Sequence, residues 1–148
     1  MITIKPIEES SFTALNELYA ELSGAGPTDP GKTEKVFRAI LHNPDYHLLG
    51  AYVDGELLGS MMGIICMDLV MDCRPFMVVE NVVVSSRARR LGLGRQLIHA
   101  LEDIARGLDC FYIMLVSGEK RKEAHIFYEQ MGYKDEKVQG FRKHLSSH

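Results

Sequence analysis

Val78–Arg95 reads VVENVVVSSRARRLGLGR. Its first half, up to Val84, is rich in β-branched residues that suit a pleated strand. Its second half carries Gly92 and Gly94 and opens into Leu93, Leu97, Ile98, Leu101 and Ile104 at helical spacing. Glycines between a strand and a helix let the main chain come close to a bulky anion. The first N–H groups of the helix have no partner within it, and the helix dipole favours negative charge there. Arg87, Arg89, Arg90 and Arg95 crowd the same point in a chain of net charge −3. A pyrophosphate with a further phosphate nearby accounts for that crowding. The plain alternative is a strand–helix corner that happens to use glycine, with the arginines on a solvated face.

Two other phosphate motifs do not fit. No GxxxxGK followed by Ser or Thr occurs, so this is no Walker A loop. A dinucleotide fold wants GxGxxG early in a parallel βαβ array. Here Gly92-Leu93-Gly94 runs on into Arg95-Gln96-Leu97, and the strands before it read as antiparallel.

Working outward, Phe76–Val84 is a strand, Ser85–Leu91 a basic loop and Leu93–Gly107 a helix. Upstream, His47–Val53 and Glu56–Met67 flank Asp54-Gly55, a strong hairpin signal. Ile2, Ile4 and Ile7 begin a first strand. Ser10 or Ser11 is placed to cap a helix with Phe12, Leu15, Leu18, Tyr19 and Leu22 on one face. Asp29-Pro30 reads as an N-cap followed by proline at the first helical position, with Asn43-Pro44 ending that second helix. Downstream, Phe111–Val116 is a short buried-type strand, and Lys122–Met131 a helix closed by Gly132. Tyr133–Val138 and Phe141–Leu145 pattern as a last hairpin. The predicted order is β-α-α-β-β-β-α-β-α-β-β, an α/β chain with a mixed sheet and helices on both faces. No repeat or linker interrupts it, so 1–148 is read as a single domain.

Composition agrees. The chain has 148 residues, 46% of them hydrophobic and 25% charged, an ordinary globular balance. The acidic net charge argues against a nucleic-acid binder working through a basic surface. Cys66, Cys73 and Cys110 show neither a disulfide framework nor zinc spacing, so no metal is expected. The N-terminus starts at once in a strand pattern without a signal peptide. No apolar run nears the roughly 20 residues of a membrane span. A cytoplasmic protein with no membrane or nucleic-acid partner is expected.

Arg89-Arg90-Leu91-Gly92-Leu93-Gly94 matches a known pattern: Arg or Gln, two residues, Gly, one residue, then Gly or Ala. Ala124-His125-Ile126-Phe127-Tyr128-Glu129-Gln130-Met131-Gly132-Tyr133 matches a second, in which Ala, Phe-Tyr and Gly follow at short intervals. On these two motifs, their order and the element order, the sequence resembles the Gcn5-related N-acetyltransferase (GNAT) superfamily along nearly its whole length.

The resemblance implies an enzyme that moves an acetyl group from acetyl-CoA to a primary amine by direct attack. The backbone of Val82, Val83 and Val84 would hold the pantetheine arm like an added strand. The stretch Arg89, Arg90, Leu91, Gly92, Leu93, Gly94 and Arg95 would hold the pyrophosphate. Two strands splay apart around the arm in this fold, and a bulge near Glu80–Val82 often produces the splay.

Two proton movements are then needed. Glu80, two residues before Val82, reads as sharing its face and is a candidate base for the amine. The other reading is a surface residue, or one that only binds the substrate ammonium. Tyr128 matches the family's general acid for the leaving thiolate. By periodicity alone it reads as core, since Ala124, Phe127, Tyr128 and Met131 form one apolar face. Among weaker features, Asp68, Asp72 and Glu80 would suit a cationic acceptor, while Arg74 would hold a carboxylate. The acceptor itself, a small molecule or peptide, is not legible, and a homodimer is compatible with the family. A non-catalytic acyl-CoA sensor is the rival from another class; Glu80 and Tyr128 together favour the enzyme.

Overall fold

The computed structural model describes residues 1–146. Five strands, β1 (Ile2–Pro6), β2 (Tyr46–Val53), β3 (Glu56–Cys66), β4 (Phe76–Val84) and β5 (Ile113–Leu115), form one sheet in that order. The first four run antiparallel, and β5 lies parallel to β4. The helices are α1 (Phe12–Ser23), α2 (Pro30–Leu41), α3 (Leu93–Gly107) and α4 (Lys122–Gln130). The mixed α/β class read from the sequence is the observed one. The chain forms two compact units, the first Met1–Leu115 and the second beginning at Val116.

Local chemistry explains most boundaries. Asp54 and Gly55 both take positive φ, 50° and 87°, which a two-residue hairpin of matching twist demands. They set the register Val53↔Glu56. Asp29 caps α2, its side chain accepting from Lys32 N at 3.1 Å, with Pro30 in the first turn. Ser11 does precede α1, but its hydroxyl makes no cap. It lies 2.8 Å from the Tyr52 hydroxyl instead, because a buried Tyr O–H on the sheet needs a partner more than a solvated helix end does.

In the first unit the sheet is covered on both faces. On one, Leu15, Leu18 and Phe37 of the α1–α2 pair pack with Leu48, Tyr52, Leu57, Met62 and Val83. On the other, α3 lies across the sheet. A Cβ built on Gly63 would strike Met77 and Leu101, and one on Gly59 would touch Leu97. Leu93, Leu97, Ile98 and Leu101 are almost wholly buried.

One expectation fails. Tyr133–Val138 and Phe141–Leu145 form no strand among the described residues, so the final β-β pair of the predicted order is absent. A strand is stable only when its N–H and C=O groups meet a partner ladder. None is present for these residues, and Val138, Phe141 and Leu145 stand exposed.

Candidate active site

The site in the first unit begins with a flaw in β4. Met62 pairs with Glu80 and Ser60 with Val83. One residue, Met61, therefore faces two, Asn81 and Val82, which makes a β-bulge. Asn81 takes φ 54°, a left-handed conformation that Asn tolerates better than most residues. The bulge lies where the family resemblance implies it.

It also corrects one inference. Plain alternation puts Glu80 and Val82 on one face. The extra residue breaks that parity. Glu80 opposes Met62 and Val83 opposes Ser60, so both lie on the α1–α2 face. Val84 opposes Gly59, on the α3 face, and Val82, two residues earlier, lies there too. Glu80 is exposed at the bulge.

Beyond Val79, β4 has no strand paired on its β5 side among the described residues. Only Met77–Val79 pairs with β5, through Ile113–Leu115. From Glu80 to Val84 no β5 residue is paired alongside. Such an edge can take an extended ligand as an added strand. Val83 offers only its main chain, since its side chain is in the core.

The edge leads into a tight turn. Ser85 is buried, its N–H donating to Leu58 O at 2.8 Å and its hydroxyl accepting from Arg87 N at 3.2 Å. A short 3-10 turn spans Ser86–Ala88. Arg90 and Gly92 follow with φ of 73° and 76°. Gly92 is the N-cap of α3 and supplies no capping side chain. The first helical bond after the turn runs from Gln96 N to Gly92 O at 3.1 Å. Among the described residues, the N–H groups of Leu93, Gly94 and Arg95 have no acceptor. A Cβ on Gly92 would meet nothing within 4 Å, so its left-handed φ and not crowding is what calls for glycine there. The Leu93 side chain is buried and anchors the helix, while Arg89, Arg90, Leu91 and Arg95 are exposed. The residues fit a diphosphate: three main-chain donors without an acceptor, a helix N-terminus, and Arg89, Arg90 and Arg95, which form no ion pair among the described residues.

Two arginines weighed in the sequence are otherwise occupied. Arg87 pairs with Glu56, which leaves Arg89, Arg90 and Arg95 as the cations of the turn. Arg74 donates to Asp109 O and Cys110 O, both at 3.2 Å, pairs with the Asp109 carboxylate and lies over the Phe111 ring. It closes a loop and is not free for a substrate carboxylate. Asp68 accepts from Leu69 N and Val70 N of its own loop.

The sequence reading missed Glu21. Its carboxylate accepts from Ser86 N at 3.0 Å and Ser85 Oγ at 3.3 Å. These bonds, the Ser86 backbone first, and Arg89 hold it below the usual carboxylate range. Nothing in the helical pattern marks it, since an acid on the polar face of α1 looks like any solvated residue.

In the second unit, Tyr128 is buried in α4, its ring edge-on to Phe127 and Tyr133. Burial pushes its hydroxyl above the ordinary phenol range, opposed by Arg121. The helix ends in a motif that explains the local sequence. Gly132 takes φ 96°, its N–H bonds Glu129 O at 3.0 Å, and Tyr133 N bonds Tyr128 O at 2.9 Å. This is a Schellman close, with the Tyr128–Tyr133 ring contact as its apolar clasp. Periodicity alone placed Tyr128 in the core, and there it packs.

Comparison with known proteins agrees with this geometry. Residues 12–133 match the model of the acetyltransferase (GNAT) family. A glucosamine 6-phosphate N-acetyltransferase of Trypanosoma brucei brucei is 28% identical, over 90% of this chain and 89% of its own. The corresponding enzyme of Arabidopsis thaliana is 24% identical, over 83% of each chain. The solved structure of AAC(6')-Iy, in complex with the bisubstrate analog CoA-S-monomethyl-acetylneamine, shares the fold. Its TM-score is 0.81 at 20% identity, over 98% of this chain and 99% of that one. No described helix is long and apolar enough to cross a membrane. Matched by that family model over most of its length and by N-acetyltransferases along nearly all of theirs, the chain belongs to the acetyltransferase (GNAT) family and is an acyl-CoA-dependent N-acetyltransferase.

Proposed function

We propose that acetyl-CoA lies along the free edge of β4, its pantetheine arm on the main chain of Val82–Val84. Its pyrophosphate is held by the amides of Leu93, Gly94 and Arg95, with Arg89 and Arg90 alongside. The single observation that carries this reading is the unpaired edge after Val79 running into unpartnered helix-start amides. As cosubstrate the coenzyme supplies the acetyl thioester. The whole chain, 1–148, acts as one catalytic domain.

The chemistry assigned to the chain's own residues is direct transfer. A primary amine is mostly protonated near neutrality, with a pKa of about 10.4. Glu80, exposed on the α1–α2 face, accepts that proton, directly or through a water. A main-chain N–H near Val82 polarises the thioester carbonyl. The amine nitrogen bonds to the carbonyl carbon as the carbon–sulfur bond breaks, and the nitrogen releases its extra proton to solvent to leave the neutral amide. Tyr128 donates its hydroxyl proton to the departing sulfur and recovers one from solvent. Its raised pKa favours the role, because the acid form must persist at working pH.

For the acceptor we propose an amino sugar, with glucosamine 6-phosphate first, on the strength of the two curated relatives. The test is thiol release from acetyl-CoA with a panel of amines: glucosamine 6-phosphate, glucosamine, an aminoglycoside, a polyamine and a peptide. Release above background with glucosamine 6-phosphate, and a lower rate with unphosphorylated glucosamine, is expected. Release with the polyamine or peptide alone would overturn the acceptor assignment. Coenzyme binding without release for any amine would favour a sensor.

A further inference from the structure

The turn that presents the phosphate donors is held from outside by a residue of another element. Ser85 and Ser86 open the turn, and both are tied to the far end of α1. One Glu21 oxygen takes the Ser86 N–H at 3.0 Å and the other faces Ser85 Oγ at 3.3 Å. Ser85 Oγ in turn accepts from Arg87 N at 3.2 Å, and Ser85 O accepts from Ala88 N at 3.0 Å. Ser85 N is fixed to Leu58 O on β3 at 2.8 Å. One carboxylate and one strand thus set the path of residues 85–88, four residues before Gly92. The positive charge of Arg89 also favours the ionised Glu21 carboxylate.

We propose that Glu21 is a positioning residue for coenzyme binding: by gripping Ser85 and Ser86 it sets the path of the turn whose helix-start amides receive the pyrophosphate. It touches neither coenzyme nor acceptor. The inference rests on the coenzyme site proposed above. Its physical content is preorganisation. Main-chain donors bind an anion well only when already aimed at it, and a turn that must be ordered on binding lowers the affinity by that ordering. An opposite effect is built into the same residue, because its negative charge competes with a phosphate for Arg89. Grip and charge can be separated by substitution.

The experiment is calorimetric titration of acetyl-CoA into the full chain and its Glu21→Ala, Glu21→Gln and Glu21→Asp variants, with melting temperatures in parallel. Glu21 is exposed on a helix, so the three variants are expected to fold. Charge-assisted hydrogen bonds to the main chain, discounted for solvent exposure, correspond to about a five- to tenfold loss. Glu21→Ala should weaken acetyl-CoA binding by about that factor. Glu21→Gln keeps an acceptor at the same reach and should bind within about twofold of wild type. Glu21→Asp keeps the charge but falls one methylene short, and should resemble Ala. Unchanged or tighter binding by Glu21→Ala would overturn the proposal, showing that the charge outweighs the grip. So would Glu21→Asp matching wild type, or Glu21→Gln as weak as Ala, since charge would then be what matters. Failure of the wild-type chain to bind acetyl-CoA would instead overturn the coenzyme site itself.

Discussion

The turn from β4 into α3 and the close of α4 at Gly132 are both glycine-marked motifs, yet they use glycine for different ends. At Gly92, the left-handed residue stands before a helix, and the N–H groups of Leu93, Gly94 and Arg95 have no acceptor among the described residues. At Gly132, the left-handed residue stands after a helix, and the carbonyls of Tyr128 and Glu129 are satisfied by the chain itself. The first motif exposes unmet hydrogen-bonding capacity, which is what a binding site requires. The second consumes it, and thereby holds Tyr128 in a packed clasp. Similar φ values, 76° and 96°, thus serve recognition in one region and structure in the other.

Substitutions can break that contrast. Gly92→Asp combines the cost of a side chain in left-handed backbone, about 1–2 kcal/mol, with negative charge at the helix start. Acetyl-CoA affinity should fall at least about a hundredfold by calorimetry. The melting temperature should fall only a few degrees. Binding left untouched would sink the site.

Tyr128→Phe keeps the ring in the clasp and removes the proton. kcat should fall by about 10²–10⁴-fold with acetyl-CoA binding unchanged. The pH profile sharpens this. The folded hydroxyl is raised above 10.0 by burial, so the protonated acid persists upward. The alkaline loss of kcat assigned to it should therefore begin above the ordinary phenol range. The linked stability has the same sign: it is present below the unfolded pKa and lost as pH rises through the folded one. An alkaline limb that Tyr128→Phe leaves in place would assign it to another group.

Glu80→Gln should slow turnover by about a hundredfold near neutral pH. The deficit should narrow as the acceptor amine loses its proton at higher pH, because a base is then no longer needed. A deficit constant with pH would make Glu80 a substrate ligand only. Gly132→Ala is the smallest of the four. Left-handed backbone at an L-residue costs about 1–2 kcal/mol, read as a lower melting temperature with acetyl-CoA affinity intact. Lost affinity in Gly132→Ala would erase the distinction between the two glycines.

Much of this was legible in residue order. Phe76–Val84 and Leu93–Gly107 were expected and are observed with those bounds, because β-branched density and a long 3.6-residue apolar period are local signals. Asp54-Gly55 and Asp29-Pro30 were legible for the same reason: each fixes its own backbone. The predicted hairpin at Tyr133–Leu145 failed because a strand pattern states only a preference, and the ladder must come from elsewhere. Ser11 and Arg74 were misassigned because their partners, Tyr52 and the carbonyls of Asp109 and Cys110, are distant in sequence. Glu80 was put on the wrong face relative to Val82 because a single inserted residue inverts parity, and no periodicity shows where the insertion falls.

The chain's own order of residues determined the four helices, the β2–β3 hairpin and the location of the glycine-led helix start, since each depends on signals within a few positions. Tertiary structure alone decided which edge of β4 stays unpaired, which arginines remain free, and that Glu21 grips Ser85 and Ser86 across 64 and 65 positions. Those outcomes depend on which groups meet after the sheet and helices have packed. A hydrogen bond or ion pair of that span leaves no periodic trace in the sequence.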